Sequence, residues 1–327
     1  MDVLQSFAQM GIGIVLLLVG AEGLVRGASA LALRFGLTPL VVGLTVVAFG
    51  TSSPELVVSV QAALSGDGGF AVGNVVGSNV ANLALIVGIS AALSPMVIQR
   101  SLIRWDLPVM LASAIILVLF LYNGRLGRME GAVLTAGIIA YLTVSIRSSR
   151  KEVRAMKELE LPDQVEEAAA EPEASLWRHL LLTLGGLALL VLGSNQLLAG
   201  AITTAERLGV SEAVIGLTIV AAGTSLPELA TTVVAALRKH GDIALGNAIG
   251  SNVFNAFGVL GPAALVQPMN REGVGFDVAV GDDALLIMLG VTVLTFGLLW
   301  TGFRTRRWEG YLLITIYGLY LWWVIPK

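Results

Sequence analysis

The 327-residue chain has no cysteine and only two histidines. Disulfides and thiol chemistry are excluded, and the soft ligand sets that select zinc or copper cannot be assembled. Charge is scarce too, at 13% of residues against about 25% in soluble domains. The net charge of −3 carries no basic concentration, so nucleic acid is not an expected partner. Asp2 and no Lys or Arg precedes the first apolar run. That run is a poor signal peptide and is expected to be retained. Alternation of apolar and polar residues is missing, which argues against a β-barrel.

Hydrophobic residues fill the space, at 56% of the chain with a mean hydropathy of +0.84. A bilayer core of roughly 30 Å takes about 20 helical residues to cross. Ten stretches qualify, near 8–33, 37–63, 71–93, 107–122, 129–146, 177–203, 211–237, 244–267, 282–300 and 307–325. The expected fold class is an all-α integral membrane protein of ten transmembrane helices. With the N-terminus outside, 15 of the 20 Lys and Arg face inward, so the positive-inside rule places both termini outside.

The chain also repeats. An offset of 173 residues aligns the halves without a gap over about 70 positions, matching Gly50, Pro54, Glu55, Gly73, Asn74, Gly77, Ser78, Asn79 and Asn82 among others. After a six-residue shift, Arg128, Glu130 and Gly131 meet Arg307, Glu309 and Gly310. Each half carries five helices, an odd number, so the second copy must enter the membrane from the opposite side. The expected units are a first repeat at 1–146, a polar cytosolic linker at 147–176 and a second repeat at 177–327.

Within the repeat, Gly50-Thr51-Ser52-Ser53-Pro54-Glu55 returns as Gly223-Thr224-Ser225-Leu226-Pro227-Glu228. A carboxylate inside a bilayer is costly and marks an interior or aqueous path. Its recurrence in both halves beside Gly and Pro points to a site built from broken helices. Gly lacks a Cβ and Pro lacks an N–H, so the ladder weakens around Thr51–Ser52 and Thr224–Ser225. Carbonyls near Val47, Ala48 and Thr51 are expected to lose helical partners. Glu55 and Thr51 share a face, as do Glu228 and Thr224. A second segment, Gly73-Asn74-Val75-Val76-Gly77-Ser78-Asn79, returns as Gly246-Asn247-Ala248-Ile249-Gly250-Ser251-Asn252. Ser78 with Asn82, and Ser251 with Asn255, again lie four apart.

Pooled, these are hard oxygen donors, suited to Na⁺, Ca²⁺ or Mg²⁺. Two carboxylates neutralise one divalent ion, and Ca²⁺ tolerates irregular coordination best. A structural reading of Glu55 and Glu228 would need a basic residue at the same depth, and neither repeat supplies one. The glycines read as close-packing positions. Any single hydroxyl is as readily explained by a bond to its own i−4 carbonyl. Glu22 and Arg26, spaced i, i+4, read as a helix-stabilising pair, and His179 and His240 as solvated residues at loop edges.

The paired motifs closely resemble those of the prokaryotic sodium/calcium exchangers of the cation/calcium antiporter superfamily, along essentially the whole chain. The resemblance implies alternating access in a prokaryotic cytoplasmic membrane, with several Na⁺ exchanged for one Ca²⁺. It implies Glu55 and Glu228 as central ligands, with Thr51 and Thr224 adding carbonyls for Ca²⁺. The carbonyls of Ala48 and Ala221, with Ser52, Ser78, Ser225 and Ser251, would serve Na⁺, and Asn82 and Asn255 complete the middle. Some relatives carry Asp where Asn255 stands, and the potassium-dependent exchangers resemble those. An amide there favours a potassium-independent exchanger. Proton/calcium and potassium-dependent antiport of the same fold remain the alternatives, and a channel would conduct without coupling. No nucleophile or metal motif supports an enzyme, and neither a cofactor nor a protein partner is expected.

Overall fold

The computed structural model describes residues 3–158, 176–208, 221–270 and 282–324. Among these residues, seven helices are long and apolar enough to cross a membrane, and a bent pair counted as one span makes eight. In chain order they begin with α1 (Val3–Arg34), the pair α2 (Pro39–Thr51) and α3 (Ser53–Leu64), α4 (Gly68–Leu93), α5 (Leu102–Leu121) and α6 (Arg128–Glu158). There follow α7 (Leu176–Arg207), α8 (Ala221–Thr224), α9 (Leu226–Leu237), α10 (Gly241–Val266), α11 (Asp282–Gly302) and α12 (Arg307–Val324). Residues 211–220 of the seventh expected stretch lie outside the described residues. The α6 helix runs through Glu158, well into the segment read as linker, whose remainder is not described. Two two-residue strands, β1 (Arg125–Leu126) and β2 (Met269–Asn270), pair antiparallel and tie a loop of one half to a loop of the other.

Local chemistry sets the boundaries. Thr38 caps α2, its hydroxyl accepting from the Val41 N–H, and Pro39 occupies the first turn where its missing N–H costs nothing. Asp67 caps α4 by accepting from the Phe70 N–H. The repeated Arg-x-Glu-Gly is a cap used twice: Glu130 accepts from the Gly127 N–H at 3.1 Å, and Glu309 accepts from the Arg306 N–H at 2.7 Å. Among the described residues, four segments widen into π-turns, Gly43–Val47, Ala81–Ile86, Leu102–Asp106 and Phe254–Val259. None was expected from the sequence.

The 173-residue offset survives in three dimensions. Ser53–Leu64 matches Leu226–Leu237, Gly68–Val80 matches Gly241–Val253, and Ala81–Ile86 matches Phe254–Val259. Packing repeats as well. A Cβ on Gly131 of α6 would lie 2.9 Å from the Gly261 carbonyl, and one on Gly310 of α12 would lie 2.5 Å from the Gly88 carbonyl. Each half therefore clasps the other through the same glycines. Gly246 and Gly250 serve the same end, letting α10 cross the backbone of α2 at Leu40 and Leu44. Their close packing agrees with the reading of the motif, whereas Gly77 departs from it, since a Cβ there would meet only the Tyr320 hydroxyl at 3.9 Å.

Candidate functional site

Both Gly-Thr-Ser segments end a helix, and both Pro-Glu pairs start one. At Ser52 the backbone leaves the helical region (φ −84°, ψ 6°), and Ser225 repeats this (φ −88°, ψ 6°). Pro54 and Pro227 fill the first turn that follows, where the absent N–H is harmless. The bend between α2 and α3 is 45°. The break gives the site two things at once. Glu55 and Glu228 fall in the first turn of a new helix, whose unpaired N–H groups favour negative charge. The carbonyl four residues before each proline has no N–H to receive. Those carbonyls belong to Gly50 and Gly223. The expected loss at Ala48 is not found, since its carbonyl accepts from the Ser52 N–H at 2.9 Å. It also receives the Thr51 hydroxyl at 3.4 Å. The break itself falls at Ser52 and Ser225, within the Thr51–Ser52 and Thr224–Ser225 pairs where the sequence reading placed it.

The halves meet at these breaks. The Ser52 hydroxyl donates to Glu228 Oε1 at 3.0 Å, and the Thr51 hydroxyl donates to Asn247 Oδ1 at 3.1 Å. In the mirror relation, Thr224 donates to Asn74 Oδ1 at 3.5 Å, and Ser225 donates to Ser78 Oγ at 3.3 Å. Thr224 and Ser225 flank the Glu55 carboxylate, and the two glutamates are close enough to repel. Glu55 is 0% exposed and Glu228 1%. The ion pairs among the described residues all involve Glu22, so no Lys or Arg compensates either site glutamate.

Among the described residues, burial leaves polar atoms without hydrogen-bond partners in several places, and one set belongs to the expected ligands. It comprises both carboxylate oxygens of Glu55, Oε2 of Glu228, the amide groups of Asn82 and Asn255, and the Ser251 hydroxyl. Buried polar atoms are normally satisfied, and carboxylate oxygens can be satisfied by a hard cation. Asn82 and Asn255 sit in the π-turns of α4 and α10, and each π-turn packs on the helix bearing the other half's glutamate. Phe49 and Phe254 seat the second of these against α2, with ring centroids 5.3 Å apart. No direct bond joins Asn82, Asn255 or Ser251 to a carboxylate. Of Ala221, only its place at the start of α8 is described.

Two residues outside the expected ligand set organise the site. Asn74 donates to Ser59 Oγ at 3.1 Å and to the Glu55 carbonyl at 3.5 Å. Asn247 donates to Thr232 Oγ1 at 2.9 Å and to the Glu228 carbonyl at 3.4 Å. Each asparagine therefore holds the turn of its own half's glutamate and receives the other half's threonine. The signal was present in the sequence, because Asn74 and Asn247 are repeat-matched and so are Ser59 and Thr232. Elsewhere, the Glu22–Arg26 pair forms as expected at 2.6 Å, and Arg238 joins it from α9 at 2.9 Å. His240 is exposed as expected. His179 is not a solvated loop residue: it lies inside α7, half-buried, in the first turn of the stretch that begins at 177.

Comparison with known proteins agrees with this geometry. Residues 5–147 and 178–325 match the sodium/calcium exchanger protein family. A sodium/calcium exchanger of Methanosarcina acetivorans is 32% identical over 97% of both chains. The inner membrane protein YrbG of Escherichia coli (strain K12) is 36% identical over 81% of both. A solved structure of the sodium–calcium exchanger NCX_Mj, soaked with Na⁺ and Ca²⁺, superposes over 100% of both chains with a TM-score of 0.83 at 28% identity. The duplicated glutamate breaks thus belong to an integral membrane transporter rather than an enzyme, and the chain is a member of the sodium/calcium exchanger family.

Proposed function

We infer that the protein exchanges Na⁺ for Ca²⁺ by alternating access through one shared site. The observation that carries this reading is the approach of Glu55 and Glu228, both buried, without a basic partner and with carboxylate oxygens left unpaired. Thr51, Thr224, Ser52, Ser225, Ser78, Ser251, Asn82, Asn255 and the carbonyls of Ala48 and Ala221 complete the proposed ligand set. The Ala48 carbonyl accepts from the Ser52 N–H and, at 3.4 Å, from the Thr51 hydroxyl, so an ion there takes the place of the longer bond.

Exchange follows from the cost of an empty site. Two close carboxylates in a low-dielectric interior are strongly unfavourable without compensating charge. One Ca²⁺ or a set of Na⁺ neutralises them, and the bare carrier does not return. Any net charge carried per cycle makes the transport respond to membrane potential, at about 2.3 kcal/mol per charge per 100 mV.

The architecture that serves this is ten membrane helices in two inverted repeats, 1–146 and 177–327. The 147–176 linker is cytosolic, with its first part continuing α6, and both termini lie outside in a prokaryotic cytoplasmic membrane. The matching element boundaries and the reciprocal glycine contacts support the repeat, and the charge distribution supports the orientation. The uncharged Asn255 supports independence from K⁺.

The test is uptake of radiolabelled Ca²⁺ into Na⁺-loaded proteoliposomes, with pH equal on both sides and K⁺ absent. Uptake that tracks the Na⁺ gradient and falls sharply in Glu55→Gln and Glu228→Gln is expected. Uptake driven only by a pH gradient, or requiring K⁺, would move the assignment to one of the alternative antiporters.

A further inference from the structure

The helices α1 and α7 form a unit of their own. Gly13, Gly20 and Gly27 of α1 lie seven residues apart, as do Gly186, Gly193 and Gly200 of α7. A Cβ on Gly20 would stand 2.8 Å from the Gly186 carbonyl, and one on Gly13 would stand 2.8 Å from the Gly193 carbonyl. The backbones therefore touch along an antiparallel seam, and the two helices must move together if they move.

Among the described residues, two polar ties join this unit to the α8–α9 broken helix of the second half. At one, Glu22 of α1 accepts from Arg238, the residue that ends α9, at 2.9 Å. At the other, the buried Ser194 hydroxyl of α7 donates to the Gly223 carbonyl at 2.7 Å. That carbonyl is the one Pro227 deprives of a helical partner, so Ser194 fills a vacancy made by the break itself.

The first half cannot copy either tie. Subtracting 173 takes Ser194 to Ala21, which has no hydroxyl, and Arg238 to Ser65, which has no charge. Adding 173 takes Glu22 to Asn195. Two halves alike in ligands and helix boundaries thus differ in how they hold the α1–α7 unit.

We propose that Ser194–Gly223 and Glu22–Arg238 form a two-point clamp that fastens the α1–α7 pair to the second-half broken helix and makes the two access states unequal in energy. The proposal rests on alternating access, because the clamp matters only if the pair changes position relative to the two breaks. Ser194 and Glu22 act here as positioning residues and touch no ion.

The absence of native cysteine allows a direct test. Spin labels at Leu192→Cys on α7 and Leu64→Cys on α3, both exposed on the membrane domain's outer surface, report the distance from the pair to the first half. Distances are measured by pulsed electron spin resonance in saturating Ca²⁺, with and without Ser194→Ala and Glu22→Gln. One dominant distance is expected in the otherwise unaltered protein. In the double variant a second distance should gain population by roughly fivefold, the scale of one or two lost hydrogen bonds. Ser194→Ala alone removes a single oxygen and should show part of the same shift, which keeps the test open if Glu22→Gln does not fold. Unchanged populations in the folded variants would overturn the clamp. Failure of Na⁺-driven Ca²⁺ uptake would instead overturn the exchanger reading, since the distance populations do not depend on it.

Discussion

Around the first break, the Ser52 hydroxyl crosses to Glu228 at 3.0 Å. Around the second, Ser225 in the equivalent place goes to Ser78 at 3.3 Å, and both Glu55 oxygens stay unpartnered. The same contrast runs through the asparagines. Asn247 holds Thr232 and Thr51 at 2.9 and 3.1 Å, whereas Asn74 holds Ser59 and Thr224 at 3.1 and 3.5 Å. Near-identical motifs therefore build a site with one tight side and one loose side. Ser52 donates directly to Glu228, whereas Thr224 and Ser225 flank Glu55 while donating to Asn74 and Ser78, so Glu55 is the more reliant on the transported ion.

The largest expected effect falls on that reliance. Glu55→Gln should lower Na⁺-dependent Ca²⁺ uptake by at least about 100-fold, the scale of 3–5 kcal/mol for breaking a buried charge interaction. Glu228→Gln should fall short of it, because Ser52 retains an acceptor in the amide oxygen. Equal residual uptake in the two variants would erase the distinction between the sides.

Next come the hydroxyls. Removing Ser52 takes a charge-assisted hydrogen bond from Glu228, worth about 1.5–3 kcal/mol, so Ser52→Ala should raise the apparent KM for Ca²⁺ by roughly tenfold or more. Ser225→Ala should change it only a few-fold, the scale of a neutral bond. A larger effect at Ser225 would reverse the comparison. Smaller again, Asn247→Ala should impair uptake more than Asn74→Ala, because its bonds are shorter.

The smallest effect concerns packing. Gly186→Ala places a methyl 2.5 Å from the Leu24 backbone N and should lower thermal stability by about 1–3 kcal/mol, as overpacking does. Gly185→Ala meets nothing within 4 Å and should leave the melting temperature unchanged or raise it, since alanine favours helix. Denaturation in detergent, followed by light scattering, separates the two neighbours.

Much of this site is legible in the sequence because repetition and polarity stand out against lipid. Glu55 and Glu228 are conspicuous in an apolar chain, and the offset that relates them also relates their helices. The π-turns at Ala81–Ile86 and Phe254–Val259 are not legible, because one extra residue in a turn leaves the composition of an apolar run unchanged. The roles of Asn74 and Asn247 escape for another reason. Their partners Thr224 and Thr51 lie in the other half of the chain, and only folding shows which hydroxyl meets which amide. The Glu22–Arg238 tie is hidden likewise, since Arg26 offers a sufficient local partner. Ser194 is invisible until Pro227 is known to leave the Gly223 carbonyl facing α7.

Equilibrium binding of radiolabelled Ca²⁺ to the purified protein, titrated with Na⁺, tests the shared site most directly. The account predicts that Na⁺ displaces Ca²⁺ fully and that Glu55→Gln binds neither ion measurably. Ca²⁺ that stays bound at saturating Na⁺, or binds Glu55→Gln as tightly as the unaltered protein, would contradict it.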